Sequence, residues 1–182
     1  METNLVNKDK PMLPTIADLY ANDSMSVMHR SSVFQVLVNQ EPKKEWLKQH
    51  PVTKEAYIPI ERVEWLLTNI VLKWRVEIKD SKMVGNSIVV TVRLHYFNHI
   101  DNEWTWQDGI GAAPLQTDKG AGAIEWDKIK TNAVQIGAPA AESYAFKDAA
   151  EKIGKLFGKD LNRKEVMNYE PLANKYAKAL EE

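Results

Sequence analysis

Ser87-Ile-Val-Val-Thr-Val-Arg-Leu-His-Tyr-Phe97 is the clearest strand in the chain. Ile88, Val90, Val92, Leu94 and Tyr96 fall on one face of it, and Thr91, Arg93 and His95 on the other. That two-residue period is what a half-buried extended segment requires. Upstream, Trp74, Val76 and Ile78 alternate with Arg75, Glu77 and Lys79, and Gly85-Asn86 supplies a turn. Downstream, Asn98 to Asn102 is a polar connection, and Glu103-Trp-Thr-Trp-Gln-Asp108 runs back with Trp104 and Trp106 on one side. Three sequential strands on short connections predict an antiparallel meander. Trp104 and Trp106 read as core or subunit-interface residues ahead of base-stacking ones. Arg93 has two readings, a nucleic-acid contact or one half of a cross-strand ion pair.

Helical signals flank this meander. Ser31 and Ser32 suit the cap of a helix carrying Val33, Val36, Leu37 and Gln40, although Val33-Phe-Gln-Val-Leu-Val38 is also rich in strand formers. Pro42 opens a short basic and aromatic turn, Lys43-Lys-Glu-Trp-Leu-Lys48. Pro59 suits the first position of a helix that buries Ile60, Val63, Leu67, Ile70 and Val71. Gly109-Ile-Gly-Ala-Ala-Pro114 breaks the strand pattern, and Gly120, Gly122, Gly137 and Pro139 predict a long irregular loop with a short helix near Ile124 to Ala133. From Ala145 to Asn162 the spacing predicts a helix with an apolar stripe of Phe146, Ala149, Ala150, Ile153, Leu156 and Phe157. Lys152, Lys155 and Lys159 fall on its opposite side. The expected class is α+β, a β-β-β-α core flanked by helices. Residues 1–14 read as a flexible arm, 15–163 as one domain with its core over 57–162, and 164–182 as a C-terminal helical segment opened by Pro171.

Bulk properties narrow the function. The chain has 182 residues, enough for a core without staples, and no cysteine, which excludes disulfides and thiolate chemistry. No apolar run reaches the roughly 18 residues of a membrane span, and the N-terminus lacks a signal-peptide core, so a cytoplasmic protein is expected. A net charge of -1 argues against a simple basic nucleic-acid-binding domain. Distribution matters more than the total. Lys147, Lys152, Lys155, Lys159, Arg163 and Lys164 outnumber Asp148, Glu151 and Asp160 between Ala145 and Lys164, and a local excess of that kind attracts polyanions.

Catalytic patterns are missing. There is no phosphate-loop signature, and the two glycines of Gly109-Ile-Gly111 lack the third that a dinucleotide site needs. His29, His50, His95 and His99 do not stand at zinc-binding spacing, so neither metal nor cofactor is expected. Glu103 or Asp101 with Asp108 could line one hairpin end, the only sequence pattern open to metal-assisted phosphoester cleavage.

The ordered strings resemble the annealing domain of Rad-fifty-two type recombination proteins, phage-encoded members included. Tyr57-Ile-Pro-Ile-Glu-Arg-Val63 is similar to the opening of that family's helix before the sheet, and Trp74 stands where its first strand often begins. Ser87 to Tyr96 matches the long central strand, and Trp106-Gln-Asp-Gly-Ile-Gly111 resembles the segment after it. Ala145 to Leu161 resembles the following helix, with a basic pair upstream of Phe157-Gly158. The likeness spans about Tyr57 to Asn162. It implies a ring- or arc-forming homo-oligomer with a positively charged groove, in which single-stranded DNA lies phosphates inward and bases outward, and no nucleotide is hydrolysed. The family's two basic positions match Lys152 and Lys155, with lysine where arginine is frequent, so point-charge contacts would replace bidentate ones. Lys44 or Lys48 aligns loosely with an upstream basic position. Lys147, Lys159, Arg163 and Arg93 complete the expected DNA-binding set. The expected activity is ATP-independent annealing of complementary strands in recombination, with room for an exonuclease or single-strand-binding partner. The alternatives are an adaptor of the same fold that does not bind DNA, and a metal-dependent nuclease.

Overall fold

Branched residues on every second position need a pleated surface with one side dry, and a helix lined with small residues supplies the cover. The computed structural model describes residues 24–165 except 52 and 123. In chain order the elements are α1 (Ser24–Val38), a 3-10 turn (Lys44–Trp46), β1 (Lys48–Gln49), β2 (Ala56–Tyr57), α2 (Ile60–Ile70), β3 (Trp74–Val84), β4 (Ser87–Asn98), β5 (Glu103–Pro114), a 3-10 turn (Trp126–Lys128), α3 (Ala133–Glu151) and a last 3-10 turn (Lys155–Phe157). The expected arm over 1–14 and the segment opened by Pro171 lie outside the described residues.

The fold is α+β. Strands β3, β4 and β5 form one antiparallel sheet in that order, and β1 pairs with β2 as a separate hairpin. The central strand behaves as its alternation requires. Ile88, Val90, Val92, Leu94 and Tyr96 are buried beneath α3, and each such side chain contributes about 1.5–3 kcal/mol by leaving water. Val63, Leu66 and Leu67 of α2, Val71 just after it, and Ile153, Leu156 and Phe157 after α3 join the same core. Trp74 stacks on Phe146 with centroids 5.7 Å apart.

Strand β5 differs from the expectation. Gly109 to Pro114 does not break the strand; it carries the pairing to the end, Gly111 opposite Val90 and Pro114 opposite Ser87. The glycines are there because α3 leaves no room. A Cβ on Gly109 would lie 2.1 Å from the Ala145 carbonyl oxygen, and one on Gly111 2.2 Å from the Ala145 nitrogen. Ala141, Ala145 and Ala149 present the matching small surface, all fully buried. What reads in sequence as a breaker is a place of close backbone approach.

Helix α3 also differs. It begins at Ala133 rather than Ala145 and ends at Glu151 rather than near Asn162. Pro139 lies within it, and packing of its alanines onto the sheet outweighs the lost backbone hydrogen bond. The end is set by Gly154, whose Cβ would meet the Val38 carbonyl oxygen at 2.4 Å. There the chain turns under the end of α1. The wheel that put Lys152, Lys155 and Lys159 on one helical face therefore does not exist: Lys152 is at the helix terminus, Lys155 in the 3-10 turn and Lys159 beyond it.

Smaller departures follow the same logic. Helix α1 starts at Ser24, so Ser31 and Ser32 are interior positions rather than caps. The short helix expected near Ile124 to Ala133 is a single 3-10 turn, and the loop is pinned by a bridge between Thr117 and Ile129. Trp104 and Trp106 are 46 % and 50 % exposed on the face away from α3, so they are not core residues of this chain.

Candidate nucleic-acid interface

Two depressions of about 420 and 390 Å³ adjoin one another, sharing Ala56, Glu151 and Asn162 in their linings. Together they make a groove between the β1–β2 hairpin, the last turns of α3 and the segment after the final 3-10 turn. Asn162 fixes the hairpin in place. Its side chain accepts a hydrogen bond from the Ala56 backbone nitrogen and donates one to the Ala56 carbonyl, each at 2.9 Å. It thus does for β2 what a neighbouring strand's backbone would do.

Four of the expected residues converge on this groove: Lys147, Lys152, Lys159 and Arg163. The Lys147 ammonium lies 5.0 Å from the centre of the Tyr57 ring and 5.2 Å from that of Tyr144. Burial pushes its pKa down, against the attraction of Glu151 and Glu61. Lys152 donates to Asp148 at 3.1 Å and to the Asp108 carbonyl. Asp148 in turn accepts from the Ile110 nitrogen at 3.0 Å, so this pair covers the open edge of β5 at its middle. Arg163 is largely exposed and lies 2.8 Å from Asp160. Among the described residues Lys159 has no carboxylate within ion-pair distance. Acids share the groove. Burial raises the pKa of Glu151 first, the neighbouring charge of Asp148 second, and Lys147 and Lys152 oppose both.

The remaining expected residues lie elsewhere. Lys155 is 5 % exposed and its ammonium donates to Glu41 at 3.1 Å, so it braces the chain after α3 rather than facing the groove. Arg93 is on the opposite side of the sheet, bonded through both Nε and Nη2 to Asp108 at 2.7 and 2.8 Å. That bidentate contact holds the Asp108 carboxyl below its ordinary pKa. Lys48, on β1 opposite Tyr57, is paired with Glu61 at 3.2 Å and lines neither depression. Lys44 is exposed on the turn before β1 and lines neither depression.

Sequence reasoning missed Tyr144, Asn162 and Glu151. Tyr144 and Lys147 are three apart, a spacing that brings side chains together on a helix. That signal becomes readable only if α3 is known to start before Ala145. Asn162 carries no local signal, because its partner is 106 residues away. Among the described residues no three His, Asp or Glu side chains stand close enough to share a metal. Asp108 is held by Arg93, and Asp101 accepts from Asn98 at 2.6 Å. No described helix is long and apolar enough to cross a membrane.

No protein-family model matches the chain, and no curated protein sequence matches it.

Proposed function

We propose that this protein binds single-stranded DNA and anneals complementary strands without ATP, as a ring- or arc-shaped homo-oligomer. The reading rests on one observation, the convergence of Lys147, Lys152, Lys159 and Arg163 with Tyr57 and Tyr144 on a single open groove. Cations hold phosphates without reading sequence, and an open groove leaves base edges to the incoming strand. The order of elements, three antiparallel strands followed by a covering helix, agrees with the expected annealing fold. Acids in the groove weaken the hold of each protomer. Repetition along an oligomer restores affinity, because each further protomer binds a strand already tethered. Lys152 and Lys159 carry the phosphate contacts in this proposal; Lys155, being buried, does not. The protein acts by positioning and not by catalysis, in the cytoplasm, where transient single strands arise.

The test is to mix two complementary oligonucleotides with the protein, without ATP, and to follow pairing rate and oligomer mass together. Lys152→Gln with Lys159→Gln should slow pairing and reduce the salt slope of single-strand affinity by about 1.4, the value for two lost phosphate contacts. Unchanged affinity and slope would remove the groove from consideration. Oligomers that bind no single strand would favour the adaptor alternative.

A further inference from the structure

Strand β5 is the outer strand of its sheet, so every second residue turns its backbone N–H and C=O away from β4 and needs a partner elsewhere. At the middle of the strand two side chains supply such partners. The Ile110 nitrogen donates to Asp148 Oδ2 at 3.0 Å, and Lys152 Nζ donates to the Asp108 carbonyl oxygen. Lys152 also donates to the same Oδ2 of Asp148 at 3.1 Å, which joins the two edge contacts into one run of hydrogen bonds. Both side chains keep solvent contact, 38 % exposed for Asp148 and 46 % for Lys152, and both line the larger depression of the groove.

An ammonium and a backbone N–H that converge on one anionic oxygen are donors of the kind with which proteins hold phosphate. Here that oxygen belongs to the chain itself. An ordinary pair four residues apart on a helix needs no third partner and keeps both heads in water. This pair is instead fixed at two points, the carboxylate by the Ile110 N–H and the ammonium by the Asp108 carbonyl. If the carboxylate turns away toward solvent, both donors stay where they are, because the ammonium remains tied to Asp108.

We infer that Asp148 sits in a phosphate site as an internal substitute for the ligand, and that a phosphodiester of the bound strand takes its place between Lys152 Nζ and the Ile110 N–H. The inference rests on the groove reading and adds to it a donor set and a competitor. Capture is then an exchange of one anion for another. The edge N–H is bonded before and after, so neither state leaves that donor unpaired. Affinity at each site is the difference between two similar contacts, and an emptied site closes on its own carboxylate, which favours release of the annealed duplex. Glu151 lines the same depression but, among the described residues, bonds to neither donor, so its charge acts only at a distance.

The experiment is a double-mutant cycle on the full chain, with affinity for an oligothymidylate read by anisotropy at two salt concentrations. Asp148→Asn should tighten binding by roughly twofold to fivefold, and most of that gain should vanish when Lys152→Gln is also present. Glu151→Gln removes the same charge, and its gain should be independent of Lys152 and fade with salt, as an action through a screened field does. The Asp148→Asn gain, which comes from losing a direct competitor, should fade less. Melting curves show whether each variant folds, and Asp148→Ser, which leaves the Ile110 N–H to water, repeats the test if the asparagine variant does not. Equal gains with and without Lys152→Gln, or no gain at all, would overturn the inference; the groove reading then stands if Lys152→Gln with Lys159→Gln still weakens binding. A parent chain that binds no oligothymidylate would remove the groove reading and this inference with it.

Discussion

The two faces of one sheet have opposite characters. Toward α3, Gly109 and Gly111 meet Ala141, Ala145 and Ala149 so closely that a single added carbon strikes backbone. Away from α3, the same strand presents Trp104 and Trp106 half exposed and backed by arginines. Helix α3 covers β4 and β5 and scarcely reaches β3, where Ile78 is 57 % exposed. Stability is concentrated on one side, which leaves the other side and the rim free to carry groups that packing would not choose.

The largest test of this contrast is Gly111→Ala. Its Cβ would lie 2.2 Å from the Ala145 nitrogen and 2.3 Å from the Ala141 carbonyl oxygen, and neither is a flexible side-chain end. The helix must shift, and we expect a loss of more than about 3 kcal/mol in urea unfolding, a large share of an ordinary domain's stability. Trp106→Ala on the opposite face of the same strand should cost less than about 1 kcal/mol. Equal losses would break the comparison.

Much of this was legible in the sequence. Alternation from Ile88 to Tyr96 is a local property, and it gave strand, face and meander together. The helix boundaries were not local. Pro139 and Gly154 mean one thing by propensity and another once α3 has packed on the sheet and α1 has packed on Gly154. That displacement carried into the site. Lys152 and Lys159 line the groove, but Lys155 does not: a continuous helix would expose it, and the 3-10 turn buries it. Arg93 could be placed on the outer face from its alternation with Val92 and Leu94, whereas its grip on Asp108 required the register of β4 with β5.

Lys155 offers a middle-sized test, because its charge and its stem do different work. The ammonium pairs with Glu41, which is itself exposed, while the stem that carries it is buried. Lys155→Ala should lower stability by about 2 kcal/mol through lost packing, and Lys155→Met by less, since it keeps the volume. Neither should alter the salt slope of single-strand binding. A slope that falls with Lys155→Met at unchanged stability would return this residue to the DNA contact set and redraw the groove.

The smallest effect is expected at Glu151, where the packed and open regions meet. Burial and the charge of Asp148 raise its pKa in the folded chain above the 4.5 of an ordinary glutamate. A carboxyl raised in this way binds protons more tightly when folded. Its contribution to stability therefore declines as pH rises from about 4.5 through the folded pKa, and the deficit persists above it. Glu151→Gln removes the deficit. The variant should be more stable than the parent near neutral pH, by about 0.5 kcal/mol or less because the residue keeps solvent contact, and the gap should close as the pH falls below 4.5. Removing one negative charge beside Lys147 and Lys152 should also tighten single-strand binding a few-fold at low salt, and the gain should fade as salt is added. Thermal melts across pH 4 to 8, paired with anisotropy at two salt concentrations, separate the effects. A stability gap independent of pH would show that Glu151 is not held in a desolvated site, and the groove would then be an open surface on which acids and lysines titrate independently.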